Sequence, residues 1–371
     1  MDLAFLHPLY EHPGPWASVY VDLSGAEDTA RARELTARAV ARELAEQGAD
    51  DATCRAVREA LDELRHSPDP HGRALFARAG QVVLDPPLAR PPRGGTSACW
   101  APLPHVAPLL ELAGEDPVCV VAYIDRRGAD FELRSGLGSL DAGGVSGRRW
   151  PVHRTATADW SERRFQLRVE NTWEHNAAEI ADALAVCQEE TRADLLILVG
   201  DLRERRSVHE RLPQRLQDRV VEAAAGTGSR LLDDEVERLR GEHVRARAQA
   251  DLDRFRAARA PDAVGRSAAA EGVPALVEAA REHRIDELLV LPGGPDTHRE
   301  VWIGEDPDQL AVRRTELKPL GEQHARSARA DDALLRSAVM TGAPAISVTS
   351  ALPESAEEAP VGGLGALLRW S

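Results

Sequence analysis

Residues 118–136 read VCVVAYIDRRGADFELRSG, and this stretch decides the fold of the 371-residue chain. Its first half is almost wholly apolar, which is typical of a central strand in a covered sheet. The tetrapeptide DRRG supplies the turn, so the stretch predicts a β-hairpin. Because the hairpin is flanked by helical patterns and further apolar strands, an α/β layer is expected around it.

The residues after the hairpin extend this layer. GLGSLDAGG (136–144) has glycines suited to a phosphate loop but no helix directly after it, so we predict an ordinary loop within a longer connection at 135–161. A helix follows, then the buried strand DLLILVGD (194–201) of the parallel type, then a second helix over 209–224. The apolar seam of the first helix comprises Phe165, Val169, Trp173, Asn176, Ile180, Leu184 and Cys187.

The flanking regions predict two further domains. Residues 1–112 read as an α+β domain with a strand at 17–23, helices at 29–46 and 51–65, and a hairpin at 72–88. The boundary is placed at LAGEDP (112–117). Residues 229–371 alternate helix and strand, with strands at 287–292 and 345–349, and predict a C-terminal αβα sandwich. The fold class is α/β (α+β multidomain), with 1–112, 113–228 and 229–371 as domains.

Charge and composition restrict the function classes. The formal charge is −15, which excludes a generally basic nucleic-acid coat and confines any RNA contact to local patches. The four cysteines form no CxxC pair, so neither a metal site nor a cofactor is expected. The start lacks the pattern of a secretion signal and no apolar run approaches about 18 residues, so we expect a cytoplasmic protein that does not enter a membrane.

Catalytic patterns are weak throughout. Three aspartates, Asp22, Asp125 and Asp201, lie at or beside predicted strand ends, where ordinary strand-end polarity explains them better than a metal. The segment 153–161 also contains the residue types of a hydrolytic triad, but it has no nucleophile elbow. We therefore predict no catalytic residue and no enzymatic activity.

The segment from Arg148 to Leu184 carries the functional prediction. Within 145–170, six arginines face three acidic residues, a local excess of +3. Guanidinium groups bind phosphates and indole rings stack on unpaired bases, so a loop rich in both suits RNA. The alternative is a solvated loop whose tryptophans cap the hairpin sheet. The predicted contacts with ribosomal RNA are Arg148, Arg149, Trp150, His153, Arg154, Trp160, Ser161, Arg163, Arg164 and Arg168.

Two stretches resemble a known family. WSERRFQLRVENTWEHNA (160–177) is similar to the SALRFARLREEKRHNY pattern that follows Gly-Gly-Gln in class I release factors of archaea and eukaryotes and their Pelota relatives. The ending GGLGALLRW (362–370) resembles the GGIAAILRY close of the third domain in that family. The resemblance covers roughly residues 113–371, and it implies the three-domain organisation of these factors, with a middle domain of the RNase H-like type.

The departure from the family is at its hydrolytic motif. Where Gly-Gly-Gln should stand, this chain has Ala158, Asp159 and Trp160, and an indole cannot replace a small amide-bearing loop. This looks like the bacterial branch, including the Balon-type ribosome hibernation factors. The resemblance implies binding to the ribosomal A site and peptidyl-transferase centre, EF-Tu as a candidate partner, and action as a monomer.

Two other functions stay open on the sequence. A peptidyl-tRNA hydrolase, or a rescue factor for stalled ribosomes, would need Gln166 or Asn171 to position water. A stress-response protein would use the fold only as a protein-interaction scaffold. The first hypothesis is a translation-inhibiting hibernation factor.

Overall fold

A computed structural model of the chain describes residues 1–24, 30–64, 71–125, 128–146, 169–223, 233–263, 265–351 and 359–370. It contains two compact units. The first unit comprises Met1–Glu115 and Arg245–Ser371, and the second comprises Asp116–Val244. The fold is mixed α/β, as the sequence predicts. Within the described residues, no helix combines the length and apolar character that crossing a membrane requires.

The N-terminal part of the first unit is an antiparallel sheet with two long helices on one face and a short helix on the other. Its elements are β1 (Trp16–Asp22), α1 (Ala30–Glu46), α2 (Asp51–Glu63), β2 (Gly72–Arg78), β3 (Gln81–Leu84), β4 (Ser97–Ala101) and α3 (Ala107–Leu112). The strand order is β3-β2-β1-β4. Asp50 caps the start of α2, where its carboxylate accepts a hydrogen bond of 2.8 Å from the Thr53 backbone N–H. Strand β4 and helix α3 were not predicted.

The second unit contains the hairpin predicted at 118–136. Its elements are β5 (Cys119–Asp125), β6 (Gly128–Ser135), β7 (Gly138–Ser146), α4 (Val169–Thr191), β8 (Leu195–Val199), α5 (Leu202–His209), α6 (Gln214–Gln217), β9 (Val220–Ala223) and the first part of α7 (Asp233–Arg259). The strand order is β7-β6-β5-β8-β9. Strands β5, β6 and β7 are antiparallel neighbours, whereas β8 and β9 run parallel to β5. This is the RNase H-like arrangement expected for the middle domain.

Two local predictions in the second unit are wrong. The glycine-rich stretch predicted as a loop forms edge strand β7, whose pairing with β6 shifts register between Phe131 and Glu132. Edge strands tolerate glycines and bulges that central strands do not. The helix predicted over 209–224 is instead the short α6 followed by β9. Pro213 precedes α6, and the β-branched Val220 and Val221 pair with β8.

Both faces of the five-stranded sheet are covered. One face packs against α4, α5 and α6 through an apolar cluster that includes Ile180, Leu184 and Val208. The opposite face packs against the first part of α7 through Val236 and Leu239. Because both faces are buried, β5 and β8 are continuously apolar, which is why the sequence predicts them well.

The C-terminal part of the first unit is an αβα sandwich, as predicted. Its elements are the second part of α7, β10 (Ala269–Glu271), α8 (Val273–Arg281), β11 (Ile285–Val290), β12 (Glu300–Ile303), β13 (Leu310–Ala311), β14 (Arg326–Arg329), α9 (Ala330–Thr341), β15 (Ala345–Ser347) and β16 (Leu364–Leu368). The main sheet has the order β10-β16-β11-β15, with β11 and β15 parallel. Strands β12, β13 and β14 form a separate small sheet that the sequence did not predict.

One core joins the N-terminal and C-terminal parts of the first unit. Trp16 and Phe76 of the N-terminal sheet belong to the same buried cluster as Leu276 of α8 and Leu334 of α9. The other face of the C-terminal sheet packs against Leu252 and its neighbours on α7. Residues 1–115 therefore share a hydrophobic core with the C-terminal sandwich. The division into three domains at 112 and 228 stays a prediction.

Candidate functional site

The predicted RNA-contacting residues all lie between positions 148 and 168, outside the described residues. Their contact with RNA stays a prediction. The structure does describe the two elements that this segment connects, because β7 ends at Ser146 and α4 begins at Val169. The sequence segment 147–168 thus connects the end of β7 to the start of α4.

The segment begins at the end of the five-stranded sheet where β5 and β8 finish. Ser146 pairs with Gly128, and Gly128 pairs with Asp125, the last residue of β5. Strand β8 is parallel to β5 and ends at Val199, which pairs with Tyr123. The segment therefore starts where the parallel strands end, and α/β folds bind their ligands at this edge.

The polar groups at this edge have local roles. The Asp125 carboxylate accepts a hydrogen bond of 2.9 Å from the Gly128 backbone N–H. The Asp201 carboxylate caps α5 by accepting one of 3.0 Å from the Arg203 N–H. Asp22 belongs to the first unit, where it binds Ser24. The three strand-end aspartates thus take part in turns and a helix cap, in agreement with the strand-end explanation.

Helix α4 follows the predicted seam in its described part. Ile180, Leu184 and Cys187 are buried, and Asn176 is also buried despite its polar amide. The side chains of the first turns of the helix are outside the described residues. The helical reading of the family-like stretch is therefore confirmed where the structure describes it, from Val169 onward.

The structure explains why the second family-like stretch begins with two glycines. Gly362 has φ +70°, and a Cβ there would lie 2.2 Å from the carboxylate of Asp296. Gly363 has φ +86°, and a Cβ there would lie 2.8 Å from the Cα of Gly294. Only glycine accepts both the left-handed backbone and these close approaches. The pair leads directly into β16, which is the second strand from the edge in the C-terminal sheet.

A buried ionic cluster in the first unit was missed by sequence reasoning. It brings His105, after β4, against Asp331, Asp332 and Arg329 at the start of α9. Ligand atoms of the histidine and both aspartates lie within 4.8 Å of one another. However, Arg329 already binds both carboxylates, so we assign an ion-pair network rather than a metal centre. Nothing in the sequence links positions 105 and 332.

Comparison with known proteins identifies the family. Residues 118–261 match the family described as bacterial archaeo-eukaryotic release factor family 2. Over 363 residues, the chain is 31% identical to the uncharacterized protein Rv2629 of Mycobacterium tuberculosis strain H37Rv, covering 96% of this chain and 94% of that protein. The chain belongs to the bacterial branch of the archaeo-eukaryotic release factor family. A second relative, MT2704 of M. tuberculosis strain CDC 1551, has the same identity and coverage.

Solved structures of release factors and Pelota proteins are also similar. The archaeal translation termination factor aRF1 aligns over 99% of this chain and 96% of its own, with 17% identity and a TM-score of 0.23. Dom34 of S. cerevisiae aligns over 81% and 74%, with 11% identity and a TM-score of 0.44. Ribosome-bound archaeal Pelota aligns over 99% and 94%, with 15% identity and a TM-score of 0.41.

The family match includes the whole of the segment that lacks Gly-Gly-Gln. Residues 118–261 run from β5 to the end of α7 and so contain 147–168. The predicted register places Ala158, Asp159 and Trp160 at the hydrolytic motif, and this alignment stays a prediction. The family is thus established, whereas the loss of its hydrolytic chemistry in this chain stays a prediction.

Proposed function

We propose that this chain binds the ribosome as a non-hydrolytic release-factor mimic, occupies the A site and inhibits translation as a hibernation factor. The observation that carries the proposal is a release-factor-family chain with Ala-Asp-Trp in place of Gly-Gly-Gln. Paired glycines allow a loop to approach an ester closely, and a glutamine can hold water there. Replacing them with a carboxylate and an indole removes both properties and leaves a binding segment.

The charge pattern supports a ribosomal RNA partner. The chain as a whole is acidic, whereas 145–170 carries a local excess of positive charge. An acidic body with a cationic segment disfavours general binding to nucleic acid and favours one oriented contact. The segment starts at the ligand-binding edge of an RNase H-like sheet, where the contact would be directed toward the peptidyl-transferase centre.

The partners follow from the same proposal. A neighbour in fold, archaeal Pelota, is described as ribosome-bound. For this chain we propose the ribosome as the main partner, the cytoplasm as its location, action as a monomer, and EF-Tu as a candidate contact of the C-terminal sandwich. The exposed Val361 and Trp370 at either end of β16 are apolar side chains suited to a protein contact there.

The direct test is co-sedimentation of the purified full chain with vacant ribosomes at physiological salt. We expect co-migration with the wild type and at least a ten-fold weaker Kd for R163A/R164A, because both phosphate contacts are lost. The matched control is R192A/R215A. It removes the same charge from the opposite end of the sheet, where β8 and β9 begin. Failure of the wild type to co-migrate would reject the proposal.

A second assay separates binding from hydrolysis. We expect no release of peptide from ribosome-bound peptidyl-tRNA above the buffer rate when the wild type is added. Turnover that Gln166→Ala abolishes would instead establish the hydrolase alternative. Unchanged cellular function of a W160A/R163A/R164A variant would point to the interaction scaffold.

A further inference from the structure

The position of His105 in the first unit is fixed from three sides. Its backbone N–H donates to Ser18 Oγ at 2.9 Å, and its carbonyl accepts from the Tyr20 hydroxyl at 2.7 Å. Its ring Nδ1 lies 3.0 Å and 3.1 Å from the two carboxylate oxygens of Asp332. The His105 side chain is only 21% exposed and that of Asp332 only 2%. The contact joins positions 227 residues apart.

The charges around this contact balance when both carboxylates are ionised and the imidazole is protonated. Burial raises the pKa of Asp332, and the charge and hydrogen bond of His105 oppose that rise. Asp331 and Asp332 bring two negative charges into the interior, where each side chain is only 2% exposed. Arg329 supplies one positive charge, with Nη2 at 2.6 Å from Asp331 and Nε at 3.5 Å from Asp332. A buried carboxylate without a counter-charge is costly, so the protonated His105 completes a neutral set.

Other ionisable groups lie around the cluster. The exposed His298 contacts the Arg329 guanidinium through its ring Nδ1, and the remaining groups are buried or partly buried. Tyr10 and Tyr20 lie near Asp332, and burial raises the pKa of both hydroxyls. Burial likewise raises the pKa of the Cys99 thiol on β4. Because these three groups stay neutral at physiological pH, they add no charge. The charge of Arg336 opposes the rise in the pKa of Tyr10. Its guanidinium donates hydrogen bonds to the carbonyls of Gly304 and Asp306.

We propose that His105 and Asp332 form a proton-dependent latch between the N-terminal part of the first unit and helix α9. The protonated imidazole completes a neutral buried cluster with Asp331, Asp332 and Arg329. Deprotonation leaves one interior carboxylate charge without a counter-charge, which weakens the attachment of the β4–α3 connection to α9. The latch is independent of the proposed ribosome binding.

The electrostatics of the histidine support this proposal. Burial alone would lower the pKa of His105, but the charge and hydrogen bond of Asp332 outweigh burial and hold it above the usual 6.5. A histidine whose folded pKa is raised contributes stability that is complete below about 6.5, its unfolded value. That contribution is lost as the pH rises through the higher folded value, so the latch opens on the alkaline side.

An NMR titration of the histidine rings in the full chain tests the proton directly. His105→Gln assigns the resonance, and we expect its midpoint in the wild type above pH 6.5. In Asp332→Asn, which keeps the side-chain shape, we expect the midpoint to fall below the wild-type value. A wild-type midpoint at or below 6.5, or one unchanged by Asp332→Asn, would overturn the proposal.

Thermal unfolding of the full chain tests the consequence for stability. We expect the Tm advantage of the wild type over His105→Gln to be about 2–4 °C larger at pH 5.5 than at pH 8.5. The matched control is His283→Gln, which removes an exposed histidine whose Nε2 lies 2.6 Å from Asp308. The control should show no such change. An advantage of His105 that is the same at both pH values would contradict the latch.

Discussion

Helices α7 and α9 each bury one arginine to the same extent but satisfy it differently. Arg240 of α7 and Arg336 of α9 are both 5% exposed. Arg240 contacts the carboxylates of Asp116 and Glu237 and donates to the Pro117 carbonyl at 3.2 Å. Arg336 donates to two backbone carbonyls, at 3.0 Å and 3.1 Å, and forms no ion pair with any carboxylate of the described residues.

The difference shows that the partner of a buried arginine determines its pKa and its contribution to stability. Burial lowers the pKa of Arg336 to about 10, because carbonyl dipoles only partly replace water around its guanidinium. Its Nε and the nearby Tyr10 hydroxyl have no hydrogen-bond partner within the described part of the chain. Arg240 instead balances a nearly buried carboxylate. Removing Arg240 should therefore reduce the free energy of unfolding more than removing Arg336, although both side chains are equally buried.

The largest effect is expected for Arg240→Met. The substitution leaves the nearly buried Asp116 without its counter-charge, and breaking a buried pair in this way costs about 3–5 kcal/mol. Native-state hydrogen exchange in β5 and β8 measures the loss, because these strands report the second unit alone. A loss below about 1 kcal/mol would mean that the pair contributes no more than an exposed one.

A smaller effect is expected for Arg336→Met. Two carbonyls lose their donor, but a guanidinium with a poor buried environment is removed at the same time. The two changes oppose each other, so we expect a net loss on the order of 1 kcal/mol. Hydrogen exchange in β11 and α9 measures it. A loss as large as that of Arg240→Met would remove the distinction between the two sites.

The smallest effect is expected for Arg238→Ala, on the exposed face of α7. Arg238 pairs with Glu235 at 2.7 Å and with Glu242 on the next turn, yet all three side chains are substantially exposed. Water screens such pairs, so we expect no measurable change in hydrogen exchange or Tm. A clear destabilisation would show that pairing matters even without burial.

The sequence predicts the fold correctly where the pattern of apolar residues directly reflects burial. The continuous apolar runs of β5 and β8, and the seam of α4, predict a covered sheet because each is buried by its own neighbours. Edge strand β7 was missed because its glycines also fit a loop. The short β9 was missed because its two valines are too few to separate a strand from a helix.

The ionic cluster could not be predicted for a different reason. His105 stands in LPHVAP and Asp332 in ADDALL, and each pattern is ordinary by itself. Only the shared core of the first unit brings them together. The candidate RNA-contacting segment differs from the cluster, because its composition alone predicts a function.

The shared core of the first unit also sets an order of events during synthesis. At roughly 5–20 residues per second, the β-sheet carrying Trp16 and Phe76 waits on the order of ten to fifty seconds for the partners it packs against. The second unit, in contrast, is complete once Val244 has been made. A nascent chain of this protein thus keeps an apolar face of the N-terminal sheet uncovered until the C-terminal sandwich has been made.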